Sequence, residues 1–240
     1  MRLLLSALLL SLTACAPSMT APARAPGGLR AAFSEAGVAW VSGGRACVAR
    51  APSFQPSCPA LPPAVDVAWH GGQAWAGVPS LAAVVTLDGT PRSVNVGRVA
   101  AMSASRVYRE NGSAVTYDGT DAAGALGQPE AALAGGDGLD YLLLGGRVVR
   151  VADGAALPGE GFTVLNWAPG GVRGGTLPEV GTGVGTYRLT GAALERLDAA
   201  GVVRARLTHG PGRIGVVGAW LVTVSADGTL RIFGPDLSAR

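Results

Sequence analysis

Trp220-Leu-Val-Thr-Val-Ser-Ala-Asp-Gly-Thr-Leu-Arg-Ile-Phe233 decides the fold. An apolar run rich in β-branched residues opens on a tryptophan, breaks at Asp227-Gly228 and resumes as a second apolar run. Asp-Gly suits a tight reversal because glycine takes positive φ without steric cost. The stretch therefore predicts two antiparallel strands joined by a turn, and the same phrase recurs upstream. Trp40, Trp75, Tyr108, Tyr141, Tyr187 and Trp220 each open such a run, at intervals of 35, 33, 33, 46 and 33 residues. Gly43-Gly44, Pro79-Ser80, Asn111-Gly112, Gly145-Gly146 and Thr190-Gly191 mark the turns that follow the first five. A second turn comes later in the middle units, at Asp88-Gly89, Asp118-Gly119, Asp153-Gly154 and from Asp198 to Gly201. The alternative is that six of the nine Trp and Tyr fell on this grid by chance, in a β-sandwich or barrel. Four intervals within two residues of one another favour the repeat.

A further apolar run precedes each aromatic, as in Val65-Asp66-Val67-Ala68-Trp69. Each unit thus holds about four short strands, and no stretch keeps helical spacing for long. One such meander cannot bury both its faces alone, whereas a closed ring of them can. The pattern resembles the β-propellers, and the 220–233 stretch is most similar to a blade of the quinoprotein-like and WD40-like repeats. That resemblance implies an all-β protein with six blades of about four antiparallel strands over residues 29–240. The Trp-Asp dipeptide of WD40 repeats and the tryptophan-docking signature of quinoproteins are both missing, so architecture alone is taken from it. Gly159 to Gly185, inside the 46-residue interval, reads as an inserted hairpin or long loop. After Phe233 too little chain remains for a normal fourth strand. Either the segment near Met19 to Pro26 closes the ring, or the last blade has three strands.

The first fourteen residues form a separate unit. Arg2 is followed by an apolar run from Leu3 to Leu10 and then by Leu12-Thr13-Ala14-Cys15, with small residues where a peptidase must fit. This resembles the bacterial lipoprotein signal with its lipobox. The resemblance implies cleavage before Cys15, acylation of its thiol, and attachment to the outer membrane or the outer face of the cytoplasmic membrane. The apolar run is too short for a bilayer span, which needs about 20 residues. Residues 15–28, rich in Ala and Pro, read as the lipidated cysteine and a partly extended tether. Ala16 lacks the aspartate that retains many lipoproteins at the inner membrane.

The chain has 19 basic residues, all arginine, against 16 acidic ones. They are scattered singly rather than clustered, so neither a nucleic-acid stripe nor a polybasic membrane patch is indicated. Cys47 and Cys58 remain once Cys15 is set aside. The Arg50–Pro56 segment looks like a hairpin turn that sets the two opposite each other, and export permits a disulfide between them.

Signals for catalysis are sparse. No Gly-x-Ser-x-Gly elbow, His-x-x-x-His, Cys-x-x-Cys or aspartate-rich calcium loop occurs. His70 and His209 each sit beside glycine at the end of a strand run and read as exposed turn residues. The glycine-rich 170–175 stretch reads as a loop rather than an anion cradle. Six-bladed propellers resembling sugar-lactone hydrolases hold a divalent ion in the central channel, which makes Glu35, Asp66, Asn95, Asp137 and Asn166 the candidates to inspect. Their positions within the units disagree, so no metal site and no cofactor is assigned. Asp88, Asp118, Asp153, Asp198 and Asp227 read as turn residues. The expectation is a non-enzymatic binding or scaffold module in the cell envelope, recognising another envelope protein or a glycan. The alternative is a lactonase-like hydrolase with a channel metal.

Overall fold

Runs such as Val38-Ala39-Trp40-Val41 are apolar at consecutive positions, as strands covered on both faces must be. A computed structural model describes residues 28–124 and 126–240 and shows why. Those residues form seven antiparallel sheets in chain order. The first holds β1 (Arg30–Ser34), β2 (Gly37–Ser42), β3 (Arg45–Arg50) and β4 (Pro56–Ser57). The second holds β5 (Asp66–His70), β6 (Gln73–Val78), β7 (Ala83–Thr86) and β8 (Ser93–Asn95). The third is β9 (Val99–Met102), β10 (Val107–Arg109), β11 (Ala114–Val115) and β12 (Asp121–Ala122). The fourth has three strands, β13 (Ala131–Ala134), β14 (Asp140–Leu144) and β15 (Arg147–Arg150). The fifth has two, β16 (Val164–Ala168) and β17 (Gly171–Gly175). The sixth runs through β18 (Glu179–Thr182), β19 (Gly185–Leu189), β20 (Ala193–Leu197) and β21 (Val203–Thr208). The seventh is β22 (Gly212–Val217), β23 (Trp220–Ser225) and β24 (Leu230–Phe233).

The first strands of successive sheets pack on one another, from β1 on β5 round to β18 on β22, and β22 returns to β1. The sheets therefore stand radially around a closed ring, with each first strand innermost. The chain is an all-β propeller, and its seven sheets are one more than the six counted from the aromatics. The extra sheet lies within the 159–185 insertion, which is indeed a hairpin. Because β16 packs between β13 and β18, that hairpin occupies a position in the ring instead of hanging outside it.

Trp40, Trp75, Tyr108, Tyr141, Tyr187 and Trp220 all lie on the second strand of their sheets. There each can reach across a joint. Trp40 meets Val222 and Val224 of the seventh sheet, and Trp75 meets Val99 and Met102 of the third. Tyr108 packs with Leu142, and Tyr187 with Ile214 and Leu221. Six apolar clusters fill six of the seven joints. The joint between the fifth and sixth sheets has none among the described residues.

The seventh sheet has three strands, and Ala239 bridges back to Phe233 in place of a fourth. Arg240 then stacks on Trp220, 4.5 Å from its centroid, and donates to the Pro52 carbonyl at 3.1 Å, tying the seventh sheet to the first. At the inner edge of that joint Gly215 lies under the Phe33 ring; a Cβ there would sit 2.2 Å from Phe33 Cγ. Cys47 and Cys58 form a disulfide across β3 and the end of β4, where Val48 pairs with Ser57. Closing so short a loop stabilises the fold by about 3 kcal/mol in the chain-entropy picture. Cys15, the leader and the tether up to residue 27 lie outside the described residues.

Candidate functional site

The five candidate metal ligands do not meet. Glu35 is exposed in the turn between β1 and β2. Asn95 ends β8, the outermost strand of its sheet, away from the central channel. Asp137 occupies the turn between β13 and β14, where it accepts from Tyr141 Oη at 2.6 Å and from the Leu139 amide at 3.1 Å. Only Asp66 and Asn166 lie on inner strands, and both hold neighbouring sheets together. Asp66 accepts from the Val67 and Met102 amides at 2.9 and 2.8 Å. Asn166 donates to the Leu177 carbonyl and accepts from the Glu179 amide, at 3.0 and 2.9 Å. Asp118, Asp153, Asp198 and Asp227 each accept the backbone N–H two residues on, which is turn chemistry. Asp88 instead pairs with Arg50.

Both histidines depart from the exposed-turn reading. His209 is 2% exposed, because its Nε2 bonds Thr223 Oγ1 on β23 at 2.8 Å and its Nδ1 the Gly210 carbonyl at 2.7 Å. That spacing would suit a base beside a nucleophile. Both side chains are buried, however, so no substrate reaches them. His70 is half-buried; it stacks on Tyr117 with ring centroids 4.2 Å apart and bonds the Ala104 carbonyl.

A second polar cluster links the third and fourth sheets. Buried Asp140, at the start of β14, accepts from Tyr108 Oη at 2.9 Å and Ser105 Oγ at 2.5 Å. Tyr117 donates to the Ser103 carbonyl at 2.6 Å. Burial first, and then nearby carboxylates, push the phenols of Tyr108 and Tyr117 well above their ordinary range. They stay protonated donors that clamp the sheets, and Asp140, the carboxylate that accepts from the Ser105 hydroxyl, is buried between them.

At the entrance formed by the starts of the inner strands, Arg30 reaches across the ring and donates to the Glu130 carbonyl at 2.8 Å. Burial, then the neighbouring charge of Arg30, lowers the pKa of Arg213, and Asp66 acts against both. This group is cationic and carries no reactive pair.

The joint between the fifth and sixth sheets is different in kind. With two strands, the fifth sheet covers only the inner part of the sixth. In place of an apolar cluster, the facing side of the sixth carries an ion-pair ladder built by strand register. Glu179 pairs with Arg188, Arg188 with Glu195, and Glu195 with Arg206, each directly across from the next. The nitrogen–oxygen separations are 3.9, 2.9 and 3.5 Å in that order. Glu195 is buried, with 9% of its side chain exposed, whereas Arg206 at the rim is 63% exposed. Arg204, 59% exposed, extends the rim and is held by Asp198 at 2.6 Å. From the fifth sheet Arg173 is exposed and leans toward Gly181 of β18. Glu179 and Arg188 are about equally half-buried, whereas the outermost guanidiniums, Arg204 and Arg206, are exposed, so the rim presents positive charge. A cavity of about 320 Å³ bordered by Thr163, Thr176, Leu189 and Pro211 lies where the fifth, sixth and seventh sheets come together, lined by none of the ladder residues.

No protein-family model matches this chain, and no curated protein matches it in sequence. Solved structures do resemble it. One is PorZ, a bacterial surface component of the type-IX secretion system of Porphyromonas gingivalis, with 11% identity and a TM-score of 0.55. That likeness covers 89% of this chain and 37% of PorZ, so the chain spans well under half of that protein's length. A chain of the mitotic checkpoint complex is similar over 87% of this chain and 90% of its own, with 14% identity and a TM-score of 0.51. The WD40 β-propeller domain of Doa1 is similar over 86% and 79%, with 8% identity and a TM-score of 0.45. At such identities the first two likenesses speak to fold alone, and nothing is drawn from the third.

Proposed function

We propose that this protein is a non-enzymatic binding module of the cell envelope, held at a membrane by acylation of Cys15, with its partner received at the joint between the fifth and sixth sheets. The observation that carries the binding role is the charged face of the sixth sheet, left open in an otherwise packed ring. Six joints are filled by apolar side chains, as a structural joint requires. The seventh keeps exposed arginines at its rim, Arg204 and Arg206, over one buried carboxylate, Glu195, the arrangement of a recognition surface. The anchor rests on the sequence: an apolar leader, small residues before Cys15 and a Pro-rich tether long enough to lift a ring off the bilayer. Two or more acyl chains make such an anchor stable, at about 0.8 kcal/mol per buried CH₂. A hydrolytic ring with a channel metal finds no support in the geometry, since its candidate ligands lie on separate turns and strands.

Photo-crosslinking in the producing cell tests both halves. A benzophenone side chain at position 204 is expected to capture one discrete partner, and the same group at exposed Thr90 on the second sheet is not. Wild-type protein is expected to sediment with membranes and Cys15→Ser to be released. Equal capture from both positions contradicts the binding site, and membrane retention of Cys15→Ser contradicts the anchor.

A further inference from the structure

We infer that the partner completes the fifth sheet: an extended segment with alternating carboxylate and apolar side chains adds as a third strand along β17. This deepens the reading above and rests on it. Every other ring position holds three or four strands, whereas β17 ends its sheet after two. An edge strand offers unpaired N–H and C=O groups to an incoming chain, and side chains on that chain alternate between two walls.

The two walls differ. The wall toward the sixth sheet carries Arg173, Arg204 and Arg206, all exposed, with Arg188 behind them. Carboxylates on the added strand would meet these guanidiniums in charge-assisted hydrogen bonds. The wall toward the fourth sheet is apolar, formed by Phe162, Leu157 and Val172. Arg173 and Val172 mark the same division within β17 itself, since neighbouring residues on a strand face opposite ways. Gly174 and Gly175 follow, and Phe162 covers Gly174 so closely that a Cβ there would lie 2.5 Å from its ring. The seventh sheet also has a reduced strand count, but Ala239 bridges back to Phe233 beside its edge. Charge complementarity and the sidedness of the slot together select the occupant.

The test uses the full chain and two blocked synthetic peptides, one alternating glutamate with valine over eight residues, the other alternating lysine with valine. Fluorescence anisotropy is expected to show binding of the acidic peptide at least tenfold tighter than the basic one. Arg173→Glu is expected to weaken it tenfold or more, and Arg45→Glu on the first sheet to leave it unchanged. Both variants are compared with wild type by circular dichroism, and Arg206→Gln supplies a milder version if Arg173→Glu unfolds. Isotope-edited infrared of a carbonyl-labelled peptide is expected to report strand hydrogen bonding in the complex. Equal affinity for the two peptides overturns the inference, as does full affinity in both joint variants or a bound peptide without strand signal. A joint that captures a partner in cells but ignores the acidic peptide sinks this inference and leaves the binding-module reading standing.

Discussion

Replacing Gly215 with alanine tests the seam where the ring closes. An ideal Cβ at Gly215 lies 2.2 Å from Phe33 Cγ and 2.4 Å from Cδ2. Carbon atoms rest comfortably at about 3.5 Å or more, so roughly 1.3 Å must be found by turning Phe33 or spreading β22 from β1. Both strands are held by hydrogen-bonded partners, β22 by β23 and β1 by β2, so the ring of Phe33 has to give. Overpacking of this kind costs about 2–3 kcal/mol, which for a chain of this size lowers Tm by roughly 5–10 °C. Phe33→Ala on its own removes a half-buried ring and costs about 2–3 kcal/mol. In the double variant the new methyl occupies the space vacated by the ring. The two losses should therefore fall short of additivity by about 1–2 kcal/mol in a urea-denaturation cycle. Additivity to within about 0.5 kcal/mol means that the residues do not touch, and the closure of β22 on β1 is refuted.

Two further outcomes follow from the hydrogen bonds. Thr223→Val strips buried His209 Nε2 of its partner and should cost about 1–3 kcal/mol in the same assay; a loss under about 0.5 kcal/mol contradicts the pairing. Acid should destabilise the ring through its turn aspartates. Asp118 is lowered to about 2, first by the Thr116 hydroxyl and then by the Thr120 amide, and Asp153 to about 2, first by Arg150. The unfolded chain, with aspartates near about 3.9, takes up protons first as pH falls. Their contribution is therefore intact above about pH 4 and lost between about pH 4 and 2. Tm should drop across that window, less steeply in the Asp118→Asn, Asp153→Asn variant, and equal slopes contradict the assignment.

Much of the ring was legible because its signals are local. A tight turn needs glycine or asparagine within two or three residues, and a strand covered on both faces needs an unbroken apolar run. Asp227-Gly228 and Val38 to Val41 show both. The Cys47–Cys58 disulfide was legible for the same reason, since one short hairpin brings the pair together. The fifth sheet escaped the aromatic grid because only one of its faces is apolar. Leu165 and Val172 pack toward the fourth sheet, while Asn166 and Arg173 face the sixth, so Val164–Gly175 reads as a weak glycine-rich stretch. His209 escaped because its partner Thr223 lies fourteen residues away, while its neighbours Gly210 and Pro211 signal a turn. The ladder of Glu179, Arg188, Glu195 and Arg206 escaped the sequence reading. Its members looked scattered because register, and not spacing, aligns them.

Hydrogen exchange resolved by peptide on the full chain tests the central claim most directly: a ring sealed between its last and first sheets, and open at its fifth. Backbone groups that lack apolar cover open locally at low free energy, while packed strands wait for larger openings. The account predicts that amides of β16 and β17 exchange at least tenfold sooner than those of β1 and β22. Exchange in β1 and β22 as early as in β16 and β17 would contradict it.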